Sequence, residues 1–203
     1  MTGPRFVLAL AAALLTAPIA APALAQDYPS RPVKIIVPFG AGGPADVAAR
    51  QIANVLQESL GQPFVVETRT GAGGVIGPVE AAKSPPEGHT LLMMSNTQTA
   101  NESLLSPEQR KYELMRDLAP IVPVNYSDLV IVVHPSVQAK TLTEFIALAK
   151  SQPGKLNYAS AGNGGISHLV PEMFKQATGV FMVHLPYRGS APAFSDVLAG
   201  HAQ

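Results

Sequence analysis

The chain has 203 residues, 14% of them charged and 47% hydrophobic, and Lys plus Arg balance Asp plus Glu at 14 each. Low charge with a large apolar share excludes a disordered acidic or basic tail, and with no run of like charges there is no cationic footprint for nucleic-acid phosphates. Cysteine is absent, which removes disulfides, thiolate metal sites and cysteine nucleophiles together and is neutral about compartment.

The N-terminus reads as a targeting segment. Arg5 precedes an apolar run from Phe6 to Leu15, and a Pro- and Ala-rich stretch then ends in Ala23-Leu24-Ala25. This charged, apolar and small-residue order is that of a secretory signal, with cleavage expected after Ala25. The alternative is an anchor from Phe6 to Leu24, at the low end of the roughly 20 residues that span a bilayer, but Pro18 and Pro22 interrupt it.

From Val33 a theme of strand, glycine loop and helix recurs. Val33–Pro38 reads as a buried strand, Gly40-Ala41-Gly42-Gly43 as a tight loop, and Pro44 as the first residue of a helix. Ala48, Ile52, Val55, Leu56 and Leu60 form its expected apolar face, and Gly61 stops it. Phe64–Glu67 is the next strand. Gly71-Ala72-Gly73-Gly74 leads into a short helix through Ala82, ended by Pro85-Pro86, and Thr90–Met94 is a third strand. The stretch Asn96–Glu113 is polar and has no clear period.

A second block starts near Val124. Leu129–Val133 reads as a strong strand, and Thr141-Leu142-Thr143-Glu144 as a capping box opening a helix to about Lys150. Leu156–Ala159 is a short strand and Ser160–Gly165 a loop. Ser167–Ala177 is a helix closed by Gly179, and Phe181–His184 another strand. Ser190 is expected to cap a last helix ended by Gly200. Alternating strands and helices imply α/β layers on parallel sheets, in two lobes at 26–123 and 124–203.

Glycine loops at helix starts offer unpaired amides to an anion, although the same glycines also serve the tight turns that α/β folds need. A dinucleotide fingerprint fails because Ile76 stands where Gly71-x-Gly73 requires glycine, with Gly77 one position late. No loop has the Gly-Lys-Ser/Thr ending of a phosphate loop. Ser160 or Ser167 with His168 or His184, oriented by Asp46 or Asp196, would make a hydrolase, but none lies in a Gly-x-Ser-x-Gly elbow. Five histidines without paired spacing do not suggest a metal site, and no cofactor is implied. Asp46 either lines the site or complements the helix dipole, and Arg188 either lends a cation to the cleft or is solvated.

The segments Tyr28–Arg50, Arg69–Gly77, Tyr158–Gly164, Ser167-His168-Leu169 and His184–Ala193 together resemble the periplasmic solute-binding proteins of tripartite tricarboxylate transporters, the Bug family. The resemblance implies a periplasmic binding protein fold of two α/β lobes, a Venus flytrap, that captures a small organic carboxylate without performing chemistry. It implies a site in which Phe39, Gly40, Ala41, Gly42, Gly43 and Asp46 face Ser160, Ala161, Gly162, Gly164, Ser167 and His168, with Ala72 from the intervening loop. It also implies a partner, a membrane permease of one small and one large subunit. The alternatives are a non-catalytic envelope interaction module or an inactive fragment.

Two departures from the family pattern accompany this. Gly165 and Ile166 stand where the family often has a hydroxyl residue followed by another small or polar one, which reduces side-chain donation from the second loop. Family members also continue past the position of Gln203, finish the second lobe and return to the first. The expectation is therefore a fold incomplete at the C-terminus that binds weakly or not at all when expressed alone and unfolds broadly.

Overall fold

The computed structural model describes residues 27–126 and 128–203, so the expected signal segment lies outside the described residues. Strand β1 (Val33–Val37) is the centre of a parallel three-stranded sheet, flanked by β2 (Phe64–Thr68) and β3 (Thr90–Leu92). Val33 stands beside Phe64 and Val37 beside Thr68, while Lys34 and Ile36 stand beside Thr90 and Leu92. Apart from Lys34 the residues of β1 are apolar because a central parallel strand is covered on both faces, and Val33, Ile35, Ile36 and Val37 are all buried.

Helix α1 (Pro44–Leu60) begins at Pro44 as expected, and its end is set by Gly61 at φ 70, whose N–H donates to the Gln57 carbonyl. Its buried face is rotated from the expected one, keeping Leu56 but not Val55 or Leu60. Ala49 and Ala53 meet the sheet, with Ala45 and Leu56 beside them, whereas Val55 and Leu60 are exposed. Small side chains let the helix approach the sheet closely, so alanines one position further along outrank the larger residues. After a 3₁₀ turn at Ala72–Gly74 comes α2 (Ile76–Ala82). Gly77 lies so near β1 that a Cβ would fall 2.9 Å from the Pro38 side chain.

The polar stretch Asn96–Glu113 folds into helices. These are α3 (Asn96–Leu104) and α4 (Pro107–Arg110), followed by α5 (Leu114–Asp117). Ser95 opens α3 by accepting from Thr97 N, and Gln98 reciprocates by accepting from Ser95 N at 2.9 Å.

Beyond these lie α6 (Leu142–Ser151), β4 (Asn157–Ser160), α7 (Ile166–Thr178), β5 (Val183–Pro186) and α8 (Ser190–Leu198). β4 and β5 pair in parallel, Asn157 beside Val183 and Tyr158 beside His184, over a core of Ala149, Leu156, Val180 and Met182. Three elements differ from expectation. Thr141 accepts from Glu144 N, but the Glu144 carboxylate reaches back to Lys140 N, one residue beyond the cap. Gly189, at φ 119, caps α8, and Ser190 is already helical because the turn needs a conformation open to glycine. Leu129–Val133 is no strand: its side chains are exposed and it enters no ladder among the described residues, and a strand exists only where a neighbour supplies one. His134 N, donating to the Gln203 carbonyl, is the nearest tie.

Candidate functional site

In parallel α/β sheets the loops at the C-terminal strand ends face one side, where ligands bind. Here those ends carry the glycines: Gly40–Gly43 after β1, Gly71–Gly74 after β2, Gly162–Gly165 after β4 and Gly189 after β5. The first and last approach closely. A Cβ on Gly40 would lie 2.7 Å from the Arg188 carbonyl oxygen and 3.2 Å from Gly189 Cα. The middle pair does the same, since a Cβ on Gly73 would lie 2.6 Å from the Asn163 carbonyl oxygen. Loops from the two sheets therefore meet backbone to backbone, which is a physical use of glycine beyond turning the chain.

Asp46 braces the first loop with its side chain. Its side chain is buried, and its carboxylate accepts from Gly42 N at 2.9 Å and from Arg50 at 3.0 Å. The Arg50 guanidinium, opposed by burial and assisted by the Gly42 amide, holds the Asp46 carboxyl below the usual carboxylate range. Gly43 N turns back to the Gly40 carbonyl. The amides of Ala41, Ala45 and Asp46 find no acceptor among the described residues and lie at the positive end of α1. Phe39 packs against the β1 core, and Ala41, Gly42 and Ala72 are exposed.

The second loop spends most of its amides on its own side chains. Ala161 N donates to Ser167 Oγ, Gly162 N to Ser160 Oγ and Gly164 N to His168 Nδ1. Ile166 N, the first amide of α7, donates to Thr97 Oγ1 of α3 at 3.3 Å. Gly165 and Ser167 keep amides without an acceptor among the described residues. Arg188 is exposed, in line with the solvated alternative.

Helix α3 contributes residues that composition did not single out. Gln98 and Asn101 are buried and donate to the carbonyls of Gly74 and Gly73, so α3 holds the β2 loop from below. The signal was legible: Ser95-Asn96-Thr97-Gln98 has capping-box spacing.

Ser160, buried at the end of β4, brings its Oγ within 2.6 Å of His184 Nε2. His184 stacks on Tyr158 at 4.8 Å and on His168 at 4.2 Å. Tyr158 donates to Glu172, which also accepts from Lys175. Burial first, then the Glu172 carboxylate, pushes the Tyr158 phenol up. Burial first, then His168, pushes the His184 imidazole down.

The family profile described as the tripartite tricarboxylate transporter family receptor matches residues 48–203. The chain belongs to that family. BugT of Bordetella pertussis is 41% identical over 200 residues, spanning 98% of this chain and 61% of that protein. A solved structure described as a periplasmic transporter is 39% identical at a TM-score of 0.80, over 87% of this chain and 59% of the other. Rpa4515 of R. palustris, solved with adipate, is 33% identical at a TM-score of 0.76, over 87% of this chain and 58% of the other. MatC of Rhodopseudomonas palustris, solved with malate, is 29% identical at 0.80, over 86% and 59%. The α/β fold is thus that of periplasmic binding proteins. The chain spans about three-fifths of the length of these relatives.

Proposed function

We propose that this receptor-family chain captures a small organic carboxylate after export to the periplasm and removal of Met1–Ala25, and delivers it to a permease of one small and one large subunit. Its ligand sits between a first lobe at 26–123 and a second at 124–203, and no bond is made or broken. The observation that carries this reading is the convergence of glycine loops from both sheets, with uncommitted amides at Ala41, Ala45 and Asp46 on one side and Gly165 and Ser167 on the other. Such donors suit a carboxylate and need no basic side chain. Adipate in one structural relative and malate in another support the ligand class.

Calorimetry against adipate, malate, a tricarboxylate, an aromatic acid and the neutral amide of each tests it. At least one acid should bind more tightly than its amide, with modest dependence on salt because few full charges are involved. Amides binding as well as acids would contradict the reading.

The contact between Ser160 and His184 favours a second reading, a serine hydrolase. It is the weaker one, because Ser160 is only 1% exposed and no carboxylate hydrogen-bonds His184 among the described residues. Stoichiometric labelling of Ser160 by a fluorophosphonate would reverse that order.

A further inference from the structure

The second loop hangs on two imidazoles. His168, in the first turn of α7, accepts the Gly164 amide on Nδ1 at 3.2 Å, which requires that nitrogen to be unprotonated and puts the ring proton on Nε2. His184, on β5, meets Ser160 Oγ with Nε2, and the same Oγ accepts the Gly162 amide. The rings lie face to face, 4.2 Å between centroids and 18° from parallel. That geometry suits two neutral rings and resists two cations.

We propose that His168, held against His184, positions the 160–168 loop, and that protonation of this stack withdraws the loop and releases the carboxylate. The inference rests on the carboxylate-binding function above and adds its regulation by acid. A proton on His168 Nδ1 would face the Gly164 N–H donor to donor, and that loop support is lost. A proton on His184 is tolerated locally, because Ser160 can turn its hydroxyl to the Gly162 carbonyl at 3.3 Å. The sensitive position is therefore His168, and His184 limits the charge it can carry.

The charged and titratable groups around the stack do not cancel this. From α7, Glu172 favours a proton on His184 while Lys175 opposes it. Tyr158 on β4 is committed to Glu172. On α8, which packs against β4, Asp196 is engaged by Tyr187 and lies 3.5 Å from His201. Burial leads the causes that hold His184 below the ordinary imidazole range.

The test has a reading that needs no ligand. In the 203-residue chain, imidazole and amide resonances are followed from pH 8 to pH 5, and the Gly164 amide should move with the His168 titration. An amide that ignores His168 would overturn the proposal. With adipate or malate as probe, affinity should fall about tenfold between pH 8 and pH 5, the loss expected for one hydrogen bond to a positioned loop. His168→Ala should lose a similar factor at neutral pH, and His168→Asn, whose carbonyl can accept from Gly164, should restore most of it without the pH dependence. Affinity that rises on acidification would mark the imidazolium as a direct partner of the carboxylate and overturn the positioning role. If no acid binds at any pH, the carboxylate reading fails, and the resonance titration still decides the role of His168.

Discussion

Gly40 and Gly189 leave no room for a side chain between them. Gly40→Ala would bring a methyl group to 2.7 Å from the Arg188 carbonyl oxygen, and both neighbours are backbone that cannot rotate away. The strain of such overpacking is about 1–3 kcal/mol, so the loops should separate and carboxylate affinity should fall by about tenfold or more. Gly61→Ala is the comparison. Gly61 stands at φ 70 with open space around it, so an alanine there should cost about 1 kcal/mol of stability and leave affinity intact. Calorimetry on both variants checks the contrast, and equal affinities for Gly40→Ala and the parent would remove the close approach from the account. Individual residues were unevenly legible in the sequence. The glycines announced themselves through Gly-x-Gly-Gly spacing, but nothing in the chain order told that Gly40 would meet Gly189 or that Asp46 would turn inward to the Gly42 amide. Those are tertiary facts, decided by which loops the sheets deliver to one side.

At the scale of elements, strands β1 and β2 and the ends of α1 were readable because apolar, β-branched runs, Pro44 and Gly61 act locally. The buried face of α1 was not, because packing against a sheet favours Ala49 and Ala53 over bulkier Val55. Strand β5 begins two residues later than its apolar run suggested, since Met182 is buried before the ladder starts. Helix α3 lacks an apolar period for the opposite reason: its buried side chains are polar and satisfy carbonyls rather than bury apolar area. Asn101→Ala should expose this. It leaves the Gly73 carbonyl without its donor in a poorly solvated place, for about 1–3 kcal/mol of stability. Because Gly73 abuts Asn163, affinity should fall as well. Denaturant midpoints and ligand titration of Asn101→Ala against Glu108→Ala, on the exposed α4, measure both effects; equal stability of the two variants would show that α3 does not support the loop.

At the scale of the whole molecule, two parallel sheets turn their C-terminal ends toward one another, and contact between them is made by backbone at Gly40–Gly189 and Gly73–Asn163 and by Thr97 at the start of α7. The α/β class and the family were legible from the recurring theme and the quoted segments. The failure at Leu129–Val133 was a failure of context, since five apolar residues promise a strand only if a neighbour is present to pair. On the proposed reading, a ligand that touches uncommitted amides of both loops would tie the sheets together with weak contacts that also let it leave. The most direct test of that claim is to follow the backbone amide resonances of the chain while malate or adipate is added to millimolar concentration, with the matching diamide as control. Saturable shifts are expected at Ala41, Ala45, Asp46, Gly165 and Ser167 with a dicarboxylate and none with the diamide. Saturable shifts confined to residues outside 39–46, 71–74 and 160–168, or equal responses to acid and amide, would contradict it.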